Sequence, residues 1–270
     1  DFLGSGNLVT NDEILSPVIS IITVVLNDAS GLRRTANSLR AQSNAHFEWI
    51  IVDGGSRFDT LAVIEDAKDL IDQWRTQPDD GVYHAMRDGV AMASGTHMLF
   101  LNAGEELLEG ALYRFAEAAA AQSVDTITVC AWESVGIDGR GRISHPRPTQ
   151  LTQSMTICHQ GALIPRAVFD ALGGYNLKFR YAADYDFFLR ARLHGIAFHC
   201  LADVLVRYYR GGLSDRRVFQ SRMESIRALW RCASPARLAG TEFYIREILR
   251  TMLGPFWSRR ISLTKRRIFP

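Results

Sequence analysis

Short apolar runs without alternation recur along the first two-thirds of the chain, separated by stretches in which apolar positions return every three or four residues. Residues 18–26 are rich in β-branched side chains and stop at Asn27-Asp28, which predicts a first strand buried on both faces. Residues 31–42 follow with Leu32, Ala36 and Leu39 on one stripe, the period of an amphipathic helix. The pattern repeats: strand 48–52, broken by Asp53-Gly54-Gly55-Ser56, then helix 60–71, a short edge strand at 74–78, a turn at 79–81, helix 82–93 and strand 98–101. That strand ends abruptly at Asn102-Ala103-Gly104, a turn signal, with Glu105 and Glu106 next. Strands and helices alternating at these spacings predict an α/β fold with a doubly wound, mainly parallel sheet and flanking helices. Beyond it the sequence predicts helix 109–121, strand 126–132, a loop or hairpin at 136–148, a strand at 159–163, helix 165–172, helix 183–194 and strand 197–208. Arg-rich helical segments then run to about residue 253. The domain reading is an irregular lead-in over 1–16, one α/β domain over 17–215, and an Arg-rich helical extension over 216–270.

Composition narrows the class. With 270 residues, 47% of them hydrophobic and 22% charged, the chain can bury a large core and is no disordered polymer. No apolar run approaches the ~18–20 residues that cross a bilayer, and residues 1–6 lack the basic and apolar regions of a secretory signal. Four cysteines (Cys130, Cys158, Cys200 and Cys232) are far apart, so neither a disulfide framework nor a zinc site is indicated, and a reducing cytoplasm is the expectation. The net charge of +2 hides an asymmetry: from Glu242 onward the chain carries +5, and everything before it −3. Such a tail suggests an anionic partner.

In an open α/β sheet, ligands bind in the crevice beyond the carboxyl ends of the strands. Three predicted strand ends there carry small or polar residues: Thr23 to Asp28, Asp53 to Ser56, and Asn102 to Glu106. Acids in that position can hold a hard divalent cation, which in turn holds a diphosphate; equally, they can be solvated, or cap the next helix. Asp53 can accept hydrogen bonds from a base or ribose, or belong to a tight turn capped by Ser56. A second acidic pair, Asp184 and Asp186, opens a helix two residues apart, so the two carboxylates point in different directions and one is free to face a cleft as a general base. His159 reads as a core histidine or as a ligand to metal or phosphate. Arg207, Arg210, Arg216 and Arg217 flank Gly211-Gly212, a loop suited to closing over a diphosphate or to resting in solvent. No GxGxxG or Walker loop is present.

Together these stretches resemble a known family. Ser-Ile-Ile-Thr-Val-Val-Leu-Asn at 20–27, Phe-Glu-Trp-Ile-Ile-Val-Asp-Gly-Gly-Ser at 47–56, Pro-Asp-Asp-Gly-Val-Tyr-His-Ala-Met at 78–86 and Phe-Leu-Asn-Ala-Gly-Glu at 100–105 occur in order. They are followed by Cys-His-Gln at 158–160, Gly-Gly-Tyr at 173–175 and Ala-Ala-Asp-Tyr-Asp-Phe-Phe-Leu-Arg at 182–190. The pattern, spanning about residues 17–215, resembles the family 2 glycosyltransferases with the GT-A fold, and among them bacterial enzymes of exopolysaccharide, colanic-acid and glycolipid assembly. The resemblance implies a UDP- or GDP-sugar donor, Mn2+ or Mg2+, and inversion at the anomeric carbon. By position it puts Thr23, Asn27, Asp53 and Asp79 in the nucleotide pocket, Glu105 at the metal and Asp184 as the base. Asn102 and Arg210 join the donor-binding set and His159 the metal set.

The sequence also departs from that pattern. Gly104-Glu105 stands where many relatives have two aspartates, Ala183 where a glutamate often precedes the base, Arg87-Asp88 where Asn-Lys or Asn-Arg is frequent, and His84 where Asp is common. These departures leave a second expectation, a binding partner subunit that keeps the nucleotide-sugar pocket without transfer. The tail interleaves Phe256, Trp257, Ile261, Leu263, Ile268 and Phe269 with Arg259, Arg260, Lys265, Arg266 and Arg267. This mixture favours an anionic membrane surface, where a polyprenyl- or lipid-linked acceptor or a glycan would be met. The expected location is therefore peripheral, on the cytoplasmic face of the membrane. Nucleic acid is not an expected partner, since no binding module accompanies the charge.

Overall fold

A computed structural model describes residues 19–42, 46–212 and 216–264, with side chains through Met252. The expected lead-in at 1–16 and the basic and aromatic side chains of the tail lie outside the described residues. The first half of the fold follows the predicted order: β1 (Ile19–Val25), α1 (Ala29–Arg40), β2 (Phe47–Asp53), α2 (Phe58–Asp66), β3 (Gln73–Thr76), α3 (Val82–Met92) and β4 (His97–Phe100). These four strands are parallel in the order β3-β2-β1-β4, so the chain winds outward from β1 to one edge and then returns to its other side. Every residue of β1 is buried, which explains its unbroken apolar run. Ile22 and Val24 face α3 and its neighbours, while Ile19, Ile21 and Val25 face α1, α2 and the helix at Ala111–Ala120.

The second half is less regular. β5 (Glu106–Leu107), α4 (Ala111–Ala120), β6 (Ile127–Val135), β7 (Gly141–Ser144), β8 (Ala162–Pro165), α5 (Arg166–Ala171), α6 (Ala183–Leu193) and β9 (Phe198–Tyr209) extend the sheet in the order β4-β8-β6-β9-β5. β8 is antiparallel to both neighbours, and β9 runs parallel to β6 through a register shift at Cys130–Trp132. Two expectations are corrected. The strand expected from residue 159 is a 3-10 turn at His159–Gly161, and β8 begins only at Ala162. The residues expected to lead straight into helix 109–121 first form β5, which pairs antiparallel with β9.

At the end of the sheet opposite the carboxyl ends, Glu48 is buried and accepts hydrogen bonds from the hydroxyls of Ser20 and Ser94 and from the N–H groups of Ser94 and Gly95. Burial pushes its pKa up, but those donors outweigh it and bring the carboxyl below its ordinary value. Glu48 therefore stabilises the fold fully above about pH 4.5, and that contribution is lost as pH falls toward the lower folded pKa. Denaturant midpoints measured from pH 7 to pH 3 should show wild type losing more stability than Glu48→Gln; parallel curves would sink the assignment.

The C-terminal helices α7 (Val218–Arg231) and α8 (Arg237–Thr264) are built onto this domain. Ala228, Leu229 and Tyr244 enter the same core as α6, and Tyr244 Oη accepts from Met155 N at 2.9 Å. Glu224 of α7 accepts three N–H groups, those of Arg180, Tyr181 and Ala182, just before α6 begins. No helix among the described residues is long and apolar enough to cross a membrane.

Candidate active site

The carboxyl ends of β1, β2 and β4 meet where the winding reverses, the position at which α/β sheets bind ligands. Asn27 sits in the left-handed region at φ 53°, a conformation that asparagine tolerates better than most residues. Its N–H donates to Ser56 Oγ at 2.7 Å and its Oδ1 accepts from Arg57 N at 2.9 Å, stitching the loop after β1 to the loop after β2. Beside this stitch lies a cleft of about 410 Å3 lined by Asn27, Ala29, Arg57, Asp59 and Thr60, the size of a small-molecule site. Asp53 closes β2. It is fully buried, its Oδ2 accepts from Ser56 N at 2.9 Å, and its Oδ1 has no hydrogen-bond partner. Asp79 packs so closely on the same loop that a Cβ on Gly54 would lie 2.6 Å from its Oδ2.

Thr23, expected in the nucleotide pocket, lies within β1. Its side chain is fully buried and its Oγ1 accepts the indole N–H of Trp49 at 2.8 Å. The hydroxyl is committed to the core inside β1, below the crevice, because a tryptophan N–H buried there needs an acceptor.

The end of β4 gathers most of the remaining predicted residues. Gly104, at φ 96°, turns the chain so that Glu105 Oε2 accepts Asn102 N at 2.7 Å. Thr35 of α1 fixes the turn from behind: its hydroxyl donates to Glu105 O at 2.8 Å and accepts Gly104 N at 3.1 Å. Glu105 Oε1 accepts from the amide of Gln160, whose own oxygen accepts from Cys158 Sγ. Asn102 Nδ2 lies 3.3 Å from His159 Nε2, and His159 Nδ1 lies 3.3 Å from Asp184 Oδ2. With Nδ1 protonated, the imidazole donates to Asp184 and accepts from Asn102. On the other side of Asp184, Oδ1 accepts from Tyr83 Oη at 2.9 Å and from Tyr185 N at 2.8 Å. One connected path thus runs from Glu105 through Asn102 and His159 to Asp184 and Tyr83.

The charges along this path are set by burial against partners. Burial pushes Glu105 above its ordinary pKa, more strongly than His159 and its hydrogen bonds pull it down. Burial alone would lower His159, but the Asp184 carboxylate and then Glu105 raise it above the usual histidine value. Burial would raise Asp184, yet His159, Tyr83 and the Tyr185 N–H hold it below the usual carboxylate range. Asp184 is therefore an ionised carboxylate at the start of α6, where the helix dipole also favours negative charge. Asp186 turns the other way: fully buried, it accepts from Arg190 Nε at 2.9 Å and Arg231 Nη2 at 2.9 Å, and takes no part in the path.

Arg210 is exposed at the end of β9 and joins none of these hydrogen bonds; its backbone N–H closes onto Val135 O at 2.9 Å. Among the described residues, no three His, Cys, Asp or Glu side chains cluster as a metal cage. What the β4 end does offer is the Glu105 carboxylate and the unpartnered buried Oδ1 of Asn102, oxygen donors of the kind a hard cation takes beside substrate phosphates. Both His159 nitrogens are engaged, by Asn102 and Asp184.

Residues 20–173 match Glycosyl transferase family 2. The chain belongs to that family. A Mycobacterium tuberculosis protein named as a glycosyltransferase is 31% identical over 254 residues, 85% of this chain and 93% of its own length. A PGL/p-HBAD biosynthesis glycosyltransferase of Mycobacterium bovis is 33% identical over 208 residues, 74% of this chain and 80% of its own. Among solved structures, S. aureus TarS in complex with UDP-GlcNAc superposes with a TM-score of 0.66 at 15% identity, covering 87% of this chain and 74% of that one. A mannosyltransferase from Pyrobaculum calidifontis in complex with GDP-Man and Mn2+ gives 0.60 at 15% identity, covering 93% and 80%. The fold of this glycosyltransferase is accordingly the expected GT-A arrangement, with its mostly parallel sheet.

Three contributors were absent from the sequence reading. Tyr83 and Gln160 lie inside motifs quoted above, yet nothing in their spacing shows that one meets Asp184 and the other Glu105. Thr35 reads as one more polar position on α1; its role appears only once the turn at 102–105 packs against that helix.

Proposed function

We propose that this glycosyltransferase moves a sugar, with inversion, from a UDP- or GDP-sugar to a hydroxyl of a glycan or of a polyprenyl- or lipid-linked acceptor in cell-surface polysaccharide or glycolipid synthesis. The observation that carries the proposal is the Asp184 carboxylate at the start of α6, held by Tyr83 and connected through His159 to the Asn102–Glu105 turn. Asp184 takes the proton from the acceptor hydroxyl as its oxygen bonds to the anomeric carbon. The bond from that carbon to the nucleoside diphosphate breaks in the same displacement, so configuration inverts. Asp53, with its unpartnered buried oxygen, and Asn27 face the nucleotide; Asp79 closes the same loop.

Glu105 and Asn102 Oδ1 would hold Mn2+ or Mg2+, with His159 joining them by exchanging its contact with Asn102 for the cation, and the cation would neutralise charge on the leaving diphosphate. The mannosyltransferase neighbour contains Mn2+ and GDP-Man, and TarS contains UDP-GlcNAc, which supports both the cation and the donor class. The basic tail supports a place at the anionic cytoplasmic face of a membrane, beside a lipid-linked acceptor.

Calorimetric titration of UDP and GDP, each with Mn2+ and with EDTA, tests the donor and cation together. One nucleotide is expected to bind tightly only with Mn2+. Glu105→Ala should shrink that Mn2+-dependent gain by at least the roughly tenfold that loss of even an outer-sphere partner costs; an unchanged gain would move the cation elsewhere. Binding of neither nucleotide would overturn the donor assignment.

A further inference from the structure

We propose that the outer face of the α7–α8 hairpin is a docking surface for an anionic lipid leaflet. This rests on the membrane placement proposed above and moves its anchor from the basic tail to the folded domain.

The two helices run antiparallel. A Cβ on Gly240 would lie 2.6 Å from Leu229 Cδ1, and further along the pair the Arg222 guanidinium sits 5.8 Å from the Tyr244 ring centroid. Their inner faces are buried: Ser221, Ser225, Ala228 and Leu229 on α7, and Gly240, Tyr244 and Ile248 on α8. Among the described residues the hairpin also exposes large apolar side chains, and all but Phe243 fall on one stripe of each helix. On α7 these are Phe219, Met223 and Trp230; on α8 they are Leu238, Ile245, Leu249 and Met252, the first and last 72% exposed. The stripes meet near the connection between the helices. Trp230 Nε1 donates to Thr241 Oγ1 at 3.0 Å, and Thr241 lies between Leu238 and Ile245 on the same side of α8. The hairpin thus packs one side into the domain and leaves a continuous apolar strip on the other.

Charge selects the occupant. From Arg216 onward the chain carries thirteen bases against three acids, a net +10, so with +2 overall everything before Arg216 is −8. Arg227, between Met223 and Trp230, is an exposed cation beside the α7 stripe, and the one acid on the α8 stripe, Glu242, is paired with Arg246. A second copy seated on this face would set +10 against +10. A nucleic acid would answer the charge but leave the apolar strip against a polar backbone. An anionic leaflet answers both. Its head groups take the arginines, whose stems can lie along the strip, and the boundary of its acyl chains takes the apolar side chains.

The inner side of the same hairpin fixes what docking does. Glu224 of α7 holds the N–H groups of Arg180, Tyr181 and Ala182 just ahead of α6, and Ala228, Leu229 and Tyr244 share the core of that helix. A leaflet bound to the strip therefore holds the Asp184 helix in one attitude to the membrane, a single helix layer away.

The test sediments the full chain with vesicles of phosphatidylglycerol and phosphatidylcholine, and with vesicles of phosphatidylcholine alone. Wild type should bind the anionic vesicles at least about tenfold more tightly than the neutral ones. Phe219→Ser/Ile245→Ser/Leu249→Ser should weaken binding to the anionic vesicles by about tenfold or more, since burying even one such side chain contributes that much. An unchanged denaturant midpoint reports that this variant is folded; if the midpoint falls, Leu238→Ser/Met252→Ser, at the two most exposed positions of the strip, repeats the measurement. Phe256→Ser/Trp257→Ser/Phe269→Ser, in the tail, should weaken binding less than the face variant does. Binding that the face variants leave unchanged, or that only the tail variant removes, would return the anchor to the tail and overturn the proposal. Equal binding of neutral vesicles would overturn the choice of an anionic leaflet. A wild-type dimer in light scattering that the face variant dissociates would give the face to a second copy, which also overturns it. If no vesicle binds wild type, the membrane placement fails together with this assignment, while the nucleotide titration decides the transfer reaction separately.

Discussion

Asp184→Asn is expected to lower sugar transfer by about 10²–10⁴-fold, the range over which a positioned acid or base contributes, with nucleotide affinity changed little. Asparagine has the same shape and keeps an oxygen for the Tyr83 hydroxyl and the Tyr185 N–H, so the start of α6 should stay as it is. What it cannot do is accept the acceptor's proton. Because His159 and Tyr83 hold the wild-type carboxyl below the usual range against the opposing pull of burial, Asp184 is ionised throughout the neutral range. Single-turnover transfer from the bound donor, with binding measured separately, checks this. Wild-type transfer by the variant would remove Asp184 from the role of base.

Two residues along the same helix the expected effect is on stability. Asp186→Ala should destabilise the fold by about 3 kcal/mol, near the low end for breaking a buried ion pair by removing one partner. Arg190, 13% exposed, would be left beside a void, still donating to Leu172 O and Gly174 O but without its counter-ion. Arg231, 44% exposed, can turn toward water, which keeps the loss near the low end. A shift in the denaturant midpoint gives the answer; a change under about 0.5 kcal/mol, the scale of an ordinary surface substitution, would mean the triad contributes little.

The contrast between these two carboxylates shows how far the sequence reached. Their spacing alone says that they face different ways, and they do. That one would meet a histidine from another segment and the other an arginine 45 residues later depends on packing that no local pattern encodes. The parallel strands β1, β2 and β4 were legible because both their faces are buried, which writes a continuous apolar run into the chain. β8 carries the same kind of run, Ala162 to Pro165, so its antiparallel direction could not be read from it. β5 is two residues long, too short to show any period. Thr23 shows what the sequence leaves out: a polar residue near a strand end whose hydroxyl answers a buried tryptophan. Asp53 and Asn102 were legible as strand-end polar residues, and their unpartnered oxygens are what the structure adds.

The anchoring of α7 also bears on where the catalytic unit stops. The match to Glycosyl transferase family 2 ends at residue 173, before Asp184, and the α/β pattern ends near 215. Folding follows neither boundary. A chain cut after residue 215 would lose Glu224 and leave the N–H groups of Arg180, Tyr181 and Ala182 without the carboxylate that holds them at the entrance to the Asp184 helix. It would also strip Ala228, Leu229 and Tyr244 from the apolar face behind that helix. A fragment that keeps these contacts runs through α7 and into α8 as far as Ile248, the last buried side chain described. Trimming α7 and α8 would therefore expose part of the core that backs the Asp184 helix.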